Sequence, residues 1–171
     1  SDAGVVPGDP DWAGGKVFVD SREIMITAAP AAVFQAVCRL GGGHGWYAAD
    51  WLWRLRGMLD RLVGGPGPRR GRRDPVHLAH GDALDFWRVT DLVPERRLAL
   101  HAEMRMPGVA TLTFEVVPDP VDPSACRLRQ TARFRPRGLA GLVYWYAVLP
   151  LHGIVFRGML RGIRRSAEAV R

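Results

Sequence analysis

The sequence is poor in lysine, in cysteine and in metal-ligand spacings. Lys16 is its only lysine, against 23 arginines. Such a skew, with abundant Ala, Gly, Pro and Val, looks like the codon bias of a GC-rich genome. The type of cation therefore says little about role, although the net charge of +7 still favours anionic partners or surfaces. Two cysteines, Cys38 and Cys126, are too few for a disulfide framework and lack the spacing of a zinc site. Both sit in apolar patterns and read as buried thiols of a reducing compartment, so the expected location is cytoplasmic. His77 and His80 lie three apart in a strand-like segment and point to opposite faces, which is poor ligand geometry. No metal site is expected.

Long uncharged runs are also scarce. One exists: LAGLVYWYAVLPLHGIVF, residues 139 to 156, whose length meets the lower limit for a membrane span. Pro150, His152 and Gly153 weaken that reading. Beyond the run, Phe156, Met159, Leu160, Ile163, Ala167 and Val170 continue at helical spacing while Arg157, Arg161 and Arg164 line another side. That amphipathic continuation fits a helix lying on a sheet. No membrane span is expected.

The length of 171 residues suits one domain with a sizeable core. Residues 1–16, rich in Gly with Pro7 and Pro10, read as a linker or N-terminal extension. The domain is expected over 17–171, as a piece of a longer protein or after a processed start. A first strand is predicted over 17–28, then a helix from Pro30 that ends near Gly41. A second helix is predicted over about 47–63, with Trp51, Leu55, Met58, Leu59 and Leu62 as its apolar stripe. Residues 64 to 75 are a loop by composition. Strands are predicted over 83–93, 97–106, 109–117 and 126–135, with a shorter one over 76–79. Their short connections imply antiparallel hairpins.

Three strands alternate cleanly. Leu98, Leu100, Ala102, Met104 and Met106 share one parity, as do Ala110, Leu112, Phe114 and Val116, and Cys126, Leu128, Gln130, Ala132 and Phe134. The opposite parity is polar. A sheet with one dry face needs a cover, and the long C-terminal helix is the longest apolar element left to supply it. The expected class is α+β: a curved antiparallel sheet wrapped on a long C-terminal helix, with two short helices after the first strand, the helix-grip arrangement.

Several blocks carry a resemblance: DPDWAGG (9–15), GGGHGWY (41–47), LWRLRGMLDRLVGG (52–65), RGRRDP (70–75), LDFWRV (84–89), AEMRMPG (102–108), QTARFRPRGLAGLVYWY (130–146) and PLHGIVF (150–156). In this order they resemble an uncharacterised bacterial domain family of the START-like superfamily (SRPBCC, polyketide cyclase and lipid transport). The resemblance spans nearly the whole chain. It implies a helix-grip fold with a space between sheet and terminal helix where small apolar molecules bind. It also implies frequent placement C-terminal to an NAD(P)-binding domain resembling atypical short-chain dehydrogenases. The Gly-rich phosphate-binding turn of such a domain is absent here, so no cofactor is assigned to this chain.

The cavity lining expected on these grounds is Trp51, Met104, Met106, Leu112, Phe114, Gln130, Phe134, Tyr144, Trp145 and His152. Methionine adapts to irregular shapes, and Tyr and Trp carry a polar handle on an apolar body. The same side chains also suit plain core packing. Gln130 on the dry parity and His152 in an uncharged helix are the informative members, because a buried amide or imidazole needs a partner. For His152 a structural partner is at hand in the carbonyl freed by Pro150.

Arg69, Arg70, Arg72 and Arg73 form a second candidate, a site for an anion or an acidic partner. Its plainer reading is a solvated loop with ion pairs to Asp74, Asp82 or Asp85. The arginine row 127, 129, 133, 135 and 137 is one wet sheet face without the stacking aromatics that a nucleic-acid surface combines with charge. Glu103 and Glu115 are placed to neutralise part of it, and nucleic acid is not an expected partner. His44, beside Trp46 and Tyr47, is a spare acid or base with no nucleophile motif near it. Two function classes stand. One is a pocket for a hydrophobic or amphipathic small molecule, as an accessory domain of an NAD(P)-dependent oxidoreductase. The other is a docking module for a covalently linked or separate NAD(P)-binding domain, with no ligand of its own. No residue set demands a stand-alone cyclase or lyase.

Overall fold

A computed structural model describes residues 8, 16–41, 54, 58, 61, 62, 64, 73, 74, 77–103 and 105–169. The element order is β1 (Phe18–Ile26), α1 (Pro30–Cys38), β2 (Ala83–Leu84), β3 (Trp87–Val93), β4 (Arg97–Ala102), β5 (Gly108–Pro118), β6 (Cys126–Pro136) and α2 (Gly138–Glu168). The six strands form one sheet in the order β1-β6-β5-β4-β3-β2, and every neighbouring pair is antiparallel. This is the expected α+β helix-grip architecture, with the long terminal helix held against a curved sheet.

The alternation sorts the two faces as expected. Leu98, Leu100, Leu112, Phe114, Val116, Cys126, Leu128, Ala132 and Phe134 are buried. On the wet face, Arg129 reaches Glu23 at 3.3 Å and Glu115 at 3.9 Å. Glu115 thus offsets the arginine row as anticipated. Glu103 instead forms a forked pair with Arg88.

The strand predicted over 83–93 is two strands. Asp85 takes a left-handed backbone (φ 54°) and turns β2 back onto β3. A register shift between Val89 and Asp91 adds a bulge, a local event that leaves little trace in alternation. β4 ends at Ala102, short of the expected residue 106. Helix α1 starts on Pro30, whose missing N–H costs nothing there. It buries Val33, Phe34, Ala36, Val37 and Cys38 against α2 and the sheet.

Helix α2 behaves differently along its length. Its second half buries Val155, Phe156, Met159, Leu160, Ile163 and Ala167 at three- and four-residue spacing, as an amphipathic helix should. Its first half buries only Gly138, Gly141 and Trp145. Gly141 admits a close approach: a Cβ there would stand 2.6 Å from Pro136 Cβ. The amide of Arg137 donates to the carbonyl of Pro107 at 2.9 Å. Together these pin the start of α2 to the turn between β4 and β5. At the other end, Glu168 Oε1 accepts from the Thr27 amide at 3.0 Å.

The second predicted helix is seen in Arg54, Met58, Arg61 and Leu62, which are helical. Its expected apolar stripe needs correction at two positions, since Met58 and Leu62 face solvent, Leu62 with 81% exposure. Trp51, Leu55 and Leu59 lie outside the described residues, as does His44, and the short strand predicted over 76–79 does not form at its described residues, 77–79.

Candidate functional site

Along β1, exposure alternates: Val19, Ser21, Glu23 and Met25 are exposed, while Phe18, Asp20, Arg22, Ile24 and Ile26 are wholly or partly covered. Side chains two apart on a strand share a face. Asp20 and Arg22 therefore sit on the dry side with Ile24 and Ile26. A charged pair there must be mutually satisfied. Arg22 Nε donates to Asp20 Oδ1 at 3.0 Å and Nη2 to Oδ2 at 3.2 Å, a two-pronged pair.

Strand β6 brings the next members. Arg22 is registered against Gln130, and Phe18 against Phe134. Gln130 is 1% exposed, and neither its Oε1 nor its Nε2 has a hydrogen-bond partner among the described residues. Leaving a buried amide unpaired costs about 1–3 kcal/mol.

Helix α2 closes the group from above. A Cβ at Gly153 would lie 3.6 Å from Arg22 Nη2, so the guanidinium reaches the helix beside His152. The His152 ring is stacked on Phe156 at 4.8 Å and meets Trp145 edge-on at 5.3 Å. Its Nδ1 is buried and unpartnered among the described residues. The carbonyl freed by Pro150 was the expected structural partner, and His152 does not bond to it. Burial holds the imidazole below its ordinary range. Asp20 pulls its pKa up and Arg22 pushes it down, each less strongly than burial. At neutral pH His152 is therefore uncharged.

An aromatic wall flanks this polar group. Trp145 is stacked between Phe18 at 5.1 Å and Phe134 at 5.8 Å. Tyr144 leans on Phe134 at 5.6 Å, and Tyr146 meets Phe18 edge-on at 5.8 Å.

Of the residues expected to line a cavity, ring contacts bring together Phe134, Tyr144, Trp145 and His152, and Gln130 lies opposite Arg22, which reaches α2 beside His152. Leu112 and Phe114 are fully buried in the central core, with Phe114 registered against Gln130. Met106 lies elsewhere, in a cleft of about 660 Å³ at the end of the sheet. His101, Glu103, Arg105 and Arg137 also line that cleft, which makes it polar. Trp51 and Met104 lie outside the described residues, as do Arg69, Arg70 and Arg72. Arg73 pairs with Asp82, Nε to Oδ1 at 3.2 Å and Nη2 to Oδ2 at 3.3 Å, as the solvated-loop reading anticipates. Asp20 and Arg22 were missed in the sequence reading. Their signal was present, because counting back by two from Ile26 and Ile24 reaches both. No group of three metal-ligating side chains occurs among the described residues.

Comparisons with known proteins agree with this architecture. The model of a family described as a protein of unknown function (DUF2867) matches residues 12–159. The ZhuI aromatase/cyclase from Streptomyces sp. R1128 superimposes with a TM-score of 0.55 at 14% identity, over 91% of this chain and 97% of that one. Truncated norcoclaurine synthase from Thalictrum flavum gives 0.54 at 12% identity, over 91% and 95%. The di-domain aromatase/cyclase StfQ of the steffimycin biosynthetic pathway gives 0.56 at 12% identity, over 90% of this chain and 51% of that one. At these identities the likeness is one of fold. No curated protein matches the sequence.

Proposed function

The chain belongs to the DUF2867 family of proteins of unknown function, and from its helix-grip fold and buried polar group we propose that it binds a hydrophobic or amphipathic small molecule beneath helix α2. The carrying observation is Gln130, an amide at 1% exposure with donor and acceptor both unspent. A binding site commonly combines an apolar wall with a few polar groups that fix orientation. Here Phe18, Phe134 and Trp145 supply the wall, and Gln130 with His152 Nδ1 supplies the polar end.

The chemistry narrows the ligand. Arg22 already spends its charge on Asp20, and His152 is neutral near pH 7. The group offers hydrogen bonds without net charge. It suits a hydroxyl or carbonyl on an apolar skeleton better than a free carboxylate, whose burial needs a compensating cation. Because Gln130 both donates and accepts, it can serve either of those groups. The competing reading, a docking module for an NAD(P)-binding domain, draws no support from an amide too deep for a protein surface to reach. The proposal is one of binding.

Native mass spectrometry on gently purified protein, followed by organic extraction and identification of what is released, tests the reading. A retained neutral compound is expected, depleted in the Gln130→Leu variant. Reproducibly empty protein that also fails to take up any member of a panel of hydroxylated and keto aromatics or isoprenoids would sink it.

A further inference from the structure

The first half of α2 leaves an apolar surface in solvent. Val143 is 69% and Ile154 68% exposed, and Tyr146, Leu149 and Leu151 are exposed as well. Only 22% of the most apolar eighteen-residue window of this helix is buried. A core helix would bury far more of such a run, and a polar face would be expected on its solvent side.

The same stripe changes character farther along. Residues eighteen apart stand five full turns apart at 3.6 residues per turn and so share a face. Arg157, Arg161 and Arg164 therefore continue the stripe of Leu139, Val143 and Tyr146. All three arginines are exposed, and none enters an ion pair among the described residues. Within α2 the sole acidic residue is Glu168, in the last turn. The outward face is thus apolar for about four turns and cationic for about the next two.

We propose that this face is a docking surface for an anionic lipid bilayer, with the α2 axis lying in the plane of the interface. Val143, Tyr146, Pro150 and Ile154 would enter the boundary between head groups and acyl chains, and Arg157, Arg161 and Arg164 would meet lipid phosphates. Apolar burial combined with cation–phosphate attraction is how interfacial helices bind. The helix lies on the bilayer and does not cross it, because Val155, Phe156, Met159, Leu160 and Ile163 are committed to the domain core. Two features of the helix favour lipid over a protein surface: the cations stand in one row, and no exposed acid of its first seven turns offers a protein partner a complementary charge.

Co-sedimentation of the full chain with vesicles tests the proposal. Phosphatidylcholine vesicles are compared with vesicles containing one third phosphatidylglycerol, at 0.1 M salt. Binding to the anionic vesicles is expected, falling steeply by 0.5 M salt because exposed charges are screened. Arg157→Ser/Arg161→Ser/Arg164→Ser should weaken it roughly a hundredfold or more, and Val143→Glu/Ile154→Glu at least about tenfold. All five positions are exposed, so circular dichroism should show both variants folded like the wild type. Equal partition onto both vesicle types, binding insensitive to either variant, or no binding at all would overturn the proposal. So would a stable dimer that Val143→Glu/Ile154→Glu converts to monomer, since a second copy would then cover the face.

Discussion

Replacing Gln130 with leucine should make the empty protein more stable. An amide with two unspent groups costs about 1–3 kcal/mol where it stands, and Gln130 lies at 1% exposure between Phe114 and Arg22 on its neighbouring strands. Leucine removes that penalty and adds an apolar contact. Its branched shape takes back part of the gain, less than about 1.5 kcal/mol for a swap of similar volume. The net expectation is a stabilisation of about 1–2 kcal/mol. A chain of this size moves by about 2–4 °C per kcal/mol, so the melting point should rise by ~2–8 °C. The assay is urea unfolding of protein stripped of any bound compound by denaturation and refolding, with the midpoint read at constant slope. The same variant should lose retention of the bound compound, so that stability and binding move in opposite directions. A midpoint that falls by the equivalent of 1 kcal/mol would mean that the amide is already satisfied in the empty protein, and the argument for a ligand would lose its main support.

The buried imidazole gives a pH signature. Burial depresses His152 in the folded state, so the unfolded chain takes up a proton first, near its ordinary 6.5. Stability conferred by His152 is therefore complete above that pH and lost as pH falls towards the depressed folded value. Melts from pH 7.5 to 5.0 should show the wild type losing more than His152→Phe, and parallel curves would refute this. In the second half of α2, Ile163→Ala should cost about 2–5 kcal/mol, whereas Ile154→Ala, at a solvent-facing site, should stay within about 0.5 kcal/mol. Equal losses would contradict the division of the helix. Burial pushes the Cys126 thiol up to about 11. Under native conditions at pH 8 it should resist a thiol reagent and react only as the chain unfolds, which a spectrophotometric thiol titration checks.

Much of this fold can be read from residue spacing because alternation is imposed by burial itself. Strands β5 and β6 bury one face and wet the other, so their parity is written in composition. The breaks at Asp85 and at the bulge after Val89 were not readable. Each costs the sequence one residue of register and changes no hydrophobic count. Asp20 and Arg22 went unnoticed for a different reason: a charged pair on an apolar parity looks like the end of a strand until its two members are seen to satisfy each other. The two halves of α2 show the limit of pattern alone. Leu160 and Ile154 are alike in side chain and in helical setting, yet α1 and the sheet lie under the first and nothing described lies over the second. Periodicity reports where a helix has a face, and the neighbours decide whether that face is covered.

The pairing of β1 with β6 has a consequence for how the chain comes into being. Ile26 meets Cys126 and Phe18 meets Phe134, so β1 leaves a ribosome with its partner a hundred or more residues downstream. At about 5–20 residues per second, Asp20 and Arg22 wait roughly 5–20 s before that strand exists. The hairpins of β3 to β5 close locally in the meantime, β6 adds to β5 as it emerges, and closure of the long loop comes after them. Until then the edge of β6 stands open along the row that carries Gln130. The unpaired amide thus belongs to a seam sealed last, where a nascent chain is most exposed to the wrong strand.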